Sequence, residues 1–120
     1  MILVDSSIWV DHLRSSNPRL VILLEAVRVL AHPFVIGELA LGSMTQRDVV
    51  LGALRNLPAA TLATDDEVYS LIERQPLHSL GIGYVDAHLL AAVRLTPGSL
   101  LWTKDKRLHD VANRMNVAMV

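Results

Sequence analysis

Short runs of apolar residues alternate along this chain with longer segments in which apolar residues recur at helical spacing. The runs ILVD at residues 2–5 and SLLWT at 99–103 are typical of short buried strands, and AATLA and VAMV are two further strand candidates. The segment RVLA at 28–31 fits either the end of a helix or a strand. Short apolar strands that alternate with helices predict an α/β fold with a parallel sheet. Helices are predicted within SSIWVDHLR, SNPRLVILLEAVRVLA, PFVIGELALGS, TQRDVVLGALRNL, TDDEVYSLIERQ, GYVDAHLLAAVRL and KDKRLHDVANRM.

Polar residues mark the starts of several of these helices. Ser6 or Ser7, Asn17 and Thr45 stand where an N-cap is expected, because their side-chain oxygens can accept hydrogen bonds from the first free backbone N–H groups. Thr64 is followed three residues later by a glutamate, which is the spacing of a capping box. These residues predict where the helices begin to within a few positions.

The composition describes one globular domain and excludes several kinds of site. The 120 residues are 52% hydrophobic, which is enough for a single core, so we expect one domain over residues 1–120. No apolar run is long enough to cross a bilayer and no signal peptide is recognisable. The absence of cysteine excludes disulfides and thiolate metal sites and fits a reducing, cytoplasmic location. With a net charge of −1 and five Phe, Tyr and Trp residues, nucleic-acid binding needs a local basic patch, and a base-stacking platform is not expected.

Four acidic residues differ from the rest, because they lie in apolar surroundings. Asp5 ends the first apolar strand, and Asp105 follows the strand SLLWT after one lysine. Glu38 and Asp86 lie on apolar stripes of their predicted helices, on faces that should point toward the core. In an open parallel α/β sheet, ligands bind outside the carboxyl ends of the strands. The sequence therefore predicts that these four carboxylates converge at one edge of the sheet.

Converging carboxylates indicate a divalent cation. Close carboxylates repel, and some would take up protons unless a cation compensates their charge. Mg²⁺ or Mn²⁺ prefers oxygen ligands, whereas zinc is disfavoured because no histidine pair stands beside these acids. Ser7 and Thr103 lie two residues from Asp5 and Asp105, so their hydroxyls can either support a carboxylate or cap a helix or turn. Asp11 is expected to face solvent.

The blocks ILVDSSIWVDHLR, HPFVIGELALGS, GIGYVDAHLLAAVRL and LLWTKDKRL resemble the successive blocks of PIN-domain proteins, in the same order. The block HPFVIGELALG and the overall size are similar to VapC-type toxins of prokaryotic toxin–antitoxin pairs. The resemblance covers essentially the whole chain and implies a three-layer α/β/α fold with a short central parallel sheet. Residues that match the family's acidic and hydroxyl positions are Asp5, Glu38, Asp86, Asp105, Ser7 and Thr103.

This resemblance implies a metal-dependent endoribonuclease that hydrolyses RNA with a metal-activated water and is held inactive by a VapB-type antitoxin. It also implies a homodimer. Surplus apolar residues in LVILLEAVRVL and VVLGALRNL fit either an antitoxin groove, a dimer face or plain core packing. Lys104, Lys106 and Arg107 flank the last aspartate and are the candidate contacts to RNA phosphates, although such a charge run also fits an ordinary solvated helix start.

Two other functions stay open at this point. One is a non-catalytic PIN module that binds RNA or protein and keeps the acids only to hold a structural ion. The other is a phosphotransfer or phosphatase domain, in which Asp5 would be the nucleophile and Lys104 the catalytic lysine. A dinucleotide-binding Rossmann site is disfavoured, because no G-x-G-x-x-G follows the first strand.

Overall fold

The computed structural model describes residues 1–120 as seven helices and three short strands. A helix follows each strand after a short connection, and the N-cap residue of that helix is polar. None of the helices combines the length and the apolar character needed to span a lipid bilayer. In chain order the elements are β1 (Ile2–Val4), α1 (Ser6–Arg14), α2 (Pro18–Glu25), β2 (Val29–Leu30), α3 (Pro33–Leu41), α4 (Arg47–Arg55), α5 (Asp65–Arg74), α6 (Tyr84–Leu95), β3 (Leu100–Trp102) and α7 (Lys106–Arg114).

The three strands form one parallel sheet in the order β2-β1-β3, with β1 in the centre. The register pairs Leu3 with Leu101 and Val4 with Trp102, so β1 and β3 end side by side. A parallel sheet needs crossover connections, and here helices supply them. The predicted α/β/α architecture with a short parallel sheet is confirmed.

One hydrophobic cluster of 28 buried residues holds these layers together. The sheet contributes fully buried side chains such as Leu3, Val4 and Leu101. Helix α6 is the most buried helix, since every residue from Ala87 to Val93 is buried, including His88. Because α6 is fixed so tightly in the core, the polar residues of its first turn are held in defined positions.

Two predicted strands are wrong in extent. AATLA and VAMV each contribute a single isolated bridge, Ala31 with Ala59 and Leu101 with Ala118. Residues 59–63 leave the sheet after that bridge, and Thr61 instead donates its backbone N–H to the hydroxyl of Thr96, 3.0 Å away. The ambiguous segment RVLA contains the short strand β2, because Val29 pairs with Ile2 on the central strand.

The helix caps divide into confirmed and corrected predictions. Asn17 caps α2, and Thr64 forms the predicted capping box of α5. Helix α1 is capped by Asp5 rather than by Ser6 or Ser7, because the carboxylate one residue earlier accepts from the Ser6 N–H at 2.8 Å. Helix α4 has no side-chain cap. Its N-cap residue is Gln46, in the left-handed conformation, and not the predicted Thr45.

Candidate active site

The first aspartate is positioned by the pairing of β1 with β3. Asp5 comes directly after β1, and its N–H donates to the carbonyl of Trp102 at 2.9 Å, which continues the ladder by one residue. Thr103 directly follows β3, and its side chain lies beside Asp5. The sheet register therefore brings together two residues that are almost the whole chain apart.

Hydrogen bonds hold the Asp5 carboxylate from both sides. Ser7 and Thr103 donate their hydroxyls to Oδ2 at 2.8 and 2.7 Å, and Ser6 donates its N–H to Oδ1 at 2.8 Å. Asp5 is only 7% exposed, so these donors replace much of the water that a free carboxylate would have. Both hydroxyls predicted to support the site lie against this carboxylate.

The last aspartate is tied to the first through Thr103. The Thr103 hydroxyl donates to Asp5 and accepts the N–H of Asp105 at 3.0 Å. Oδ1 of Asp105 accepts the N–H groups of Arg107 and Leu108 at 2.9 and 3.1 Å, which makes Asp105 the N-cap of α7. One threonine thus fixes the spacing between the carboxyl ends of β1 and β3.

Glu38 reaches the same place from α3, but it does not point into the core as its apolar stripe predicted. Its Oε1 accepts the Ser6 hydroxyl at 3.3 Å, and the residue is exposed. Val35 and Leu39, on the neighbouring face of α3, supply the buried contacts instead. The apolar stripe was misleading because apolar residues surround Glu38 in the sequence, whereas its own side chain faces a cavity.

Asp86 lies in the first turn of α6. Its Oδ2 accepts the N–H of Gly83 at 3.1 Å, so the side chain folds back over the start of the helix. It is partly buried, beside the fully packed segment that begins at Ala87. Three of the four acids, Asp5, Asp86 and Asp105, therefore sit at helix N-termini, where the helix dipole favours negative charge.

All four predicted acids line one open cavity of about 450 Å³. Burial raises the pKa of the Glu38 carboxyl, and the nearby charges of Asp5 and Asp86 raise it further. Burial also raises the pKa of Asp86, with added repulsion from Asp5 and Asp105. The residue Glu38 is exposed to solvent as a whole. The raised pKa therefore reflects partial loss of water around its carboxylate, on the side that faces the cavity. The other lining residues are Ser6, Ser7, Val10, Asp11 and Lys104.

The cavity fits a hard cation that keeps part of its water shell. No three acidic or histidine side chains are grouped closely enough to hold a metal ion by themselves. Mg²⁺ usually retains several waters and is held through one or two carboxylates, so a spread set of acids suits it better than it suits a dehydrated ion. The lining offers carboxylates and hydroxyls but no histidine or thiol, which is the donor set of Mg²⁺ or Mn²⁺.

The predicted cations occupy different positions. Lys104 lines the cavity, where its ammonium group pairs with Asp11. Asp11 therefore lines the cavity and is not the purely solvent-facing acid expected from the sequence. Its spacing along the chain from the other acids did not indicate this position. Lys106 lies outside the cavity and pairs with Asp110 at 3.1 Å.

Arg107 extends from α7 toward the loop before α6. A Cβ atom added at Gly81 would lie 2.8 Å from the Arg107 guanidinium, so the two residues are in close contact. Gly81 has φ +79°, a left-handed conformation that glycine adopts without strain. The Arg107 cation thus lies against the segment that leads to Asp86.

Comparison with known proteins assigns the chain to a family. The model of the PIN domain matches residues 2–114. The chain belongs to the PIN-domain family. It is 50% identical over 119 residues to Ribonuclease VapC32 of Mycobacterium tuberculosis, in strains CDC 1551 / Oshkosh and ATCC 25618 / H37Rv, which covers 99% of this chain and 96% of that protein. The predicted VapC-type PIN domain is confirmed, and its fold and acid cavity are those described above.

Proposed function

We propose that this PIN domain is a metal-dependent endoribonuclease, the toxin of a toxin–antitoxin pair, and that it hydrolyses RNA phosphodiester bonds. The ribonuclease activity is supported by the name of the 50% identical relative. The observation that carries the proposal is the convergence of Asp5, Glu38, Asp86 and Asp105 on one cavity at the carboxyl ends of β1 and β3. A cytoplasmic location belongs to the proposal, since the substrate would be cellular RNA and the chain has no cysteine.

Within this proposal Asp5, Glu38 and Asp86 hold Mg²⁺ or Mn²⁺, directly or through water, and Asp105 completes the site. A bound ion of this kind acidifies water and neutralises charge on phosphoryl oxygens. Ser7 and Thr103 keep the Asp5 carboxylate in one orientation. No side chain has to act as a nucleophile, and Asp5 is poorly suited to that role because both of its oxygens accept hydrogen bonds and it is buried.

The cations at the rim are the proposed RNA contacts. Lys104 is the best placed, because it already lines the cavity. Its pairing with Asp11 is between exposed groups and is worth little, so an RNA phosphate can displace it. Arg107 and Lys106 lie further out, and we assign them weaker, sequence-independent contacts to the RNA backbone.

An antitoxin segment would fit a groove that adjoins the acid cavity. This groove, of about 360 Å³, shares Ser6, Val10 and Glu38 with the cavity and continues along α1 to Leu13. Val10 and Leu13 are both partly exposed, so an apolar peptide would bury them. We propose that a VapB-type antitoxin lies here and so reaches the acids. The remaining lining residues are Arg14, Leu39, Gly42, Ser43, Met44 and Thr45.

The proposed homodimer is supported by exposed apolar side chains on the two helices with surplus apolar residues. Ile22 and Val27, within and just after α2, are 65% and 66% exposed, and Val49 on α4 is similarly exposed. Light scattering on the purified chain, with and without Ile22→Ser, tests this part. A single-copy mass for the wild-type chain would remove the homodimer from the proposal.

The central experiment is cleavage of a mixed RNA pool by the purified protein in Mg²⁺, in Mn²⁺ and in EDTA. We expect cleavage that needs the metal and stops in EDTA. The competing function is a non-catalytic PIN module that holds a structural ion. Thermal stabilisation by Mg²⁺ without cleavage of any RNA, including ribosomal and transfer RNA, would favour that module and overturn the nuclease.

A further inference from the structure

Three of the five large aromatic residues gather on one surface around His88. The ring centroids of Phe34 and Tyr84 lie 4.8 and 4.7 Å from that of His88, both in edge-to-face contact. Tyr69 joins them through Tyr84, with 5.9 Å between centroids. Since His88 is buried, it forms the floor, and the other three rings face outward with 39–54% of their surface exposed. We name Phe34, Tyr69 and Tyr84 the aromatic surface.

The central ring of this surface is held in a fixed orientation. The Tyr84 hydroxyl donates to Oδ1 of Asp65 at 2.7 Å, and Nε2 of His88 lies 3.2 Å from the same oxygen. An ordinary exposed tyrosine rotates freely and would lose that freedom on binding a ligand. Here Asp65 and His88 have already removed it, so a planar ligand could stack on Tyr84 at a smaller entropic cost.

The aromatic surface adjoins the acid cavity along α3. Phe34 precedes Glu38 by four residues on this helix, which places both on the same side about 6 Å apart along its axis. On α6, Tyr84 and Asp86 are two residues apart, so their side chains leave different faces of that helix. Through Phe34 the surface is therefore roughly one helical turn from the Glu38 carboxylate, a distance that one nucleotide can span.

We propose that the aromatic surface stacks an unpaired base of the RNA substrate, next to the phosphodiester bond that is cleaved. This inference rests on the proposed nuclease function and adds a binding subsite to it. Aromatic side chains beside a phosphate-binding region are a general solution for holding single-stranded RNA. Tyr84 and Tyr69 supply the stacking faces, and Asp65 and His88 are positioning residues that act through Tyr84.

The size of the surface favours a base over a second protein chain. Aromatic side chains bury roughly 150–250 Å² each when fully covered, so these three part-exposed rings offer roughly 300 Å². A stable protein interface needs about 800 Å² from each partner. A nucleobase needs only one or two ring faces. The Arg107 cation, in contact with Gly81 three residues before Tyr84, is close enough to the same loop to contact an adjoining phosphate.

The test is a cycle between the protein and the RNA. The bond that wild type cuts fastest in the RNA pool is mapped, and a 20-nucleotide RNA around it is made with an abasic residue at each flanking position in turn. We expect one abasic position, and Tyr84→Ala separately, to lower kcat/KM by roughly 5- to 100-fold. Combining the two should add little further loss, since both remove the same stack.

Matched variants separate stacking from damage to the fold. Tyr84→Phe keeps the ring and loses only the bond to Asp65, so it should retain most of the activity. Tyr69→Ala should also lower kcat/KM, to a smaller extent and through the same abasic-sensitive position of the RNA. Leu62→Ala removes an exposed apolar side chain from the loop between α4 and α5, outside the aromatic surface, and should behave as wild type. Circular dichroism melts of each variant check that the chain is folded.

Each other result overturns the inference in a recognisable way. Additive losses, or wild-type kinetics in both Tyr84→Ala and Tyr69→Ala, would exclude stacking and leave the nuclease intact. A lower particle mass in Tyr84→Ala by light scattering would assign the surface to a second copy of the chain. If wild type cuts no RNA in Mg²⁺ or Mn²⁺, the nuclease proposal and this subsite fall together.

Discussion

The first two turns of α6 lie between two polar regions in which the pKa of an aspartate shifts in opposite directions. On one side Asp86 lies among other carboxylates, and burial and repulsion raise its pKa. On the other side Asp65 accepts bonds from Tyr84 and His88, and these lower its pKa. The difference teaches that two side-chain hydrogen bonds stabilise the ionised form of Asp65, whereas burial and like charges disfavour the ionised form of Asp86, which a nearby cation would offset. Tyr84 and His88 share one face of α6, and Asp86 lies between them on another.

The largest expected effect comes from removing one charge on the acid side. Asp86→Asn should lower cleavage of the mapped RNA about 100- to 1000-fold, because a metal ion typically contributes several kcal/mol to stabilising the transition state. Single-turnover cleavage measures the loss of rate, and a Mn²⁺ titration measures the loss of metal affinity separately. Asp48→Asn, which neutralises a fully exposed acid on α4, is the control and should cleave as wild type. Equal rates for both variants would remove Asp86 from the site.

A second test concerns the hydroxyl that links two of the acids. Thr103→Val keeps the shape of this buried side chain and removes its bonds to Asp5 and Asp105. We expect a 10- to 100-fold loss of metal affinity or activity, the usual cost of deleting a group that orients a metal ligand. Isothermal titration with Mn²⁺ measures the affinity. Unchanged affinity would show that the sheet register alone holds the two aspartates in place.

The aromatic side should respond to acid through His32, whose ring is in edge-to-face contact with Phe34, with 5.1 Å between the centroids. Burial, and then the nearby charge of His88, lower the pKa of His32 to about 4. The unfolded chain binds a proton near pH 6.5 while the folded chain does not, so stability falls as the pH drops from 6.5 toward 4. Between pH 7 and pH 5 this amounts to about 2 kcal/mol.

Urea unfolding at both pH values measures this loss in metal-free protein. His32→Asn keeps a capping acceptor at the start of α3 and cannot titrate, so its unfolding free energy should vary less with pH than that of wild type. If the variant and wild type show the same pH dependence, His32 is not the group responsible.

The smallest effect has the opposite sign to a typical mutation. Glu38→Gln should stabilise the metal-free protein at pH 7 on the order of 0.5 kcal/mol, since it removes repulsion from Asp5 and Asp86 at a largely exposed group. A raised carboxyl pKa means that the folded chain loses stability as the pH rises through that pKa, and the glutamine abolishes this loss. Thermal melts in EDTA and in Mg²⁺ test it: wild type should gain more from Mg²⁺, and an equal gain would contradict the assignment.

The sequence predicted the layers and the four acids because both depend on local patterns. Apolar runs identified β1 and β3, and an acid directly after an apolar strand is visible without coordinates. The short edges of the sheet could not be predicted, since AATLA has strand-like composition but leaves the sheet after one bridge. Whether a residue belongs to a strand there depends on partners elsewhere in the chain.

Two features of the site depend on the fold and not on the pattern. The sequence predicts Asp11 to be a solvated helix residue, whereas in the fold it lines the cavity wall and pairs with Lys104, which follows β3. The small number of aromatic residues argued against a base-stacking platform, but that number does not determine where in the fold these residues lie. The packing of α3 and α5 against α6 places three of the five rings around His88.

The placement of three acids at helix starts bears on how an inactive form of this protein should be made for expression and co-crystallisation. Asp5 and Asp105 cap α1 and α7, and Asp86 folds over the start of α6, so alanine at any of them also removes a helix cap, at about 1 kcal/mol each. Glu38 lies inside α3 and caps nothing. If Glu38 holds the metal as proposed, Glu38→Gln is therefore the preferable inactive form for trapping an intact RNA, because it removes one proposed metal ligand while every helix keeps its N-terminal cap.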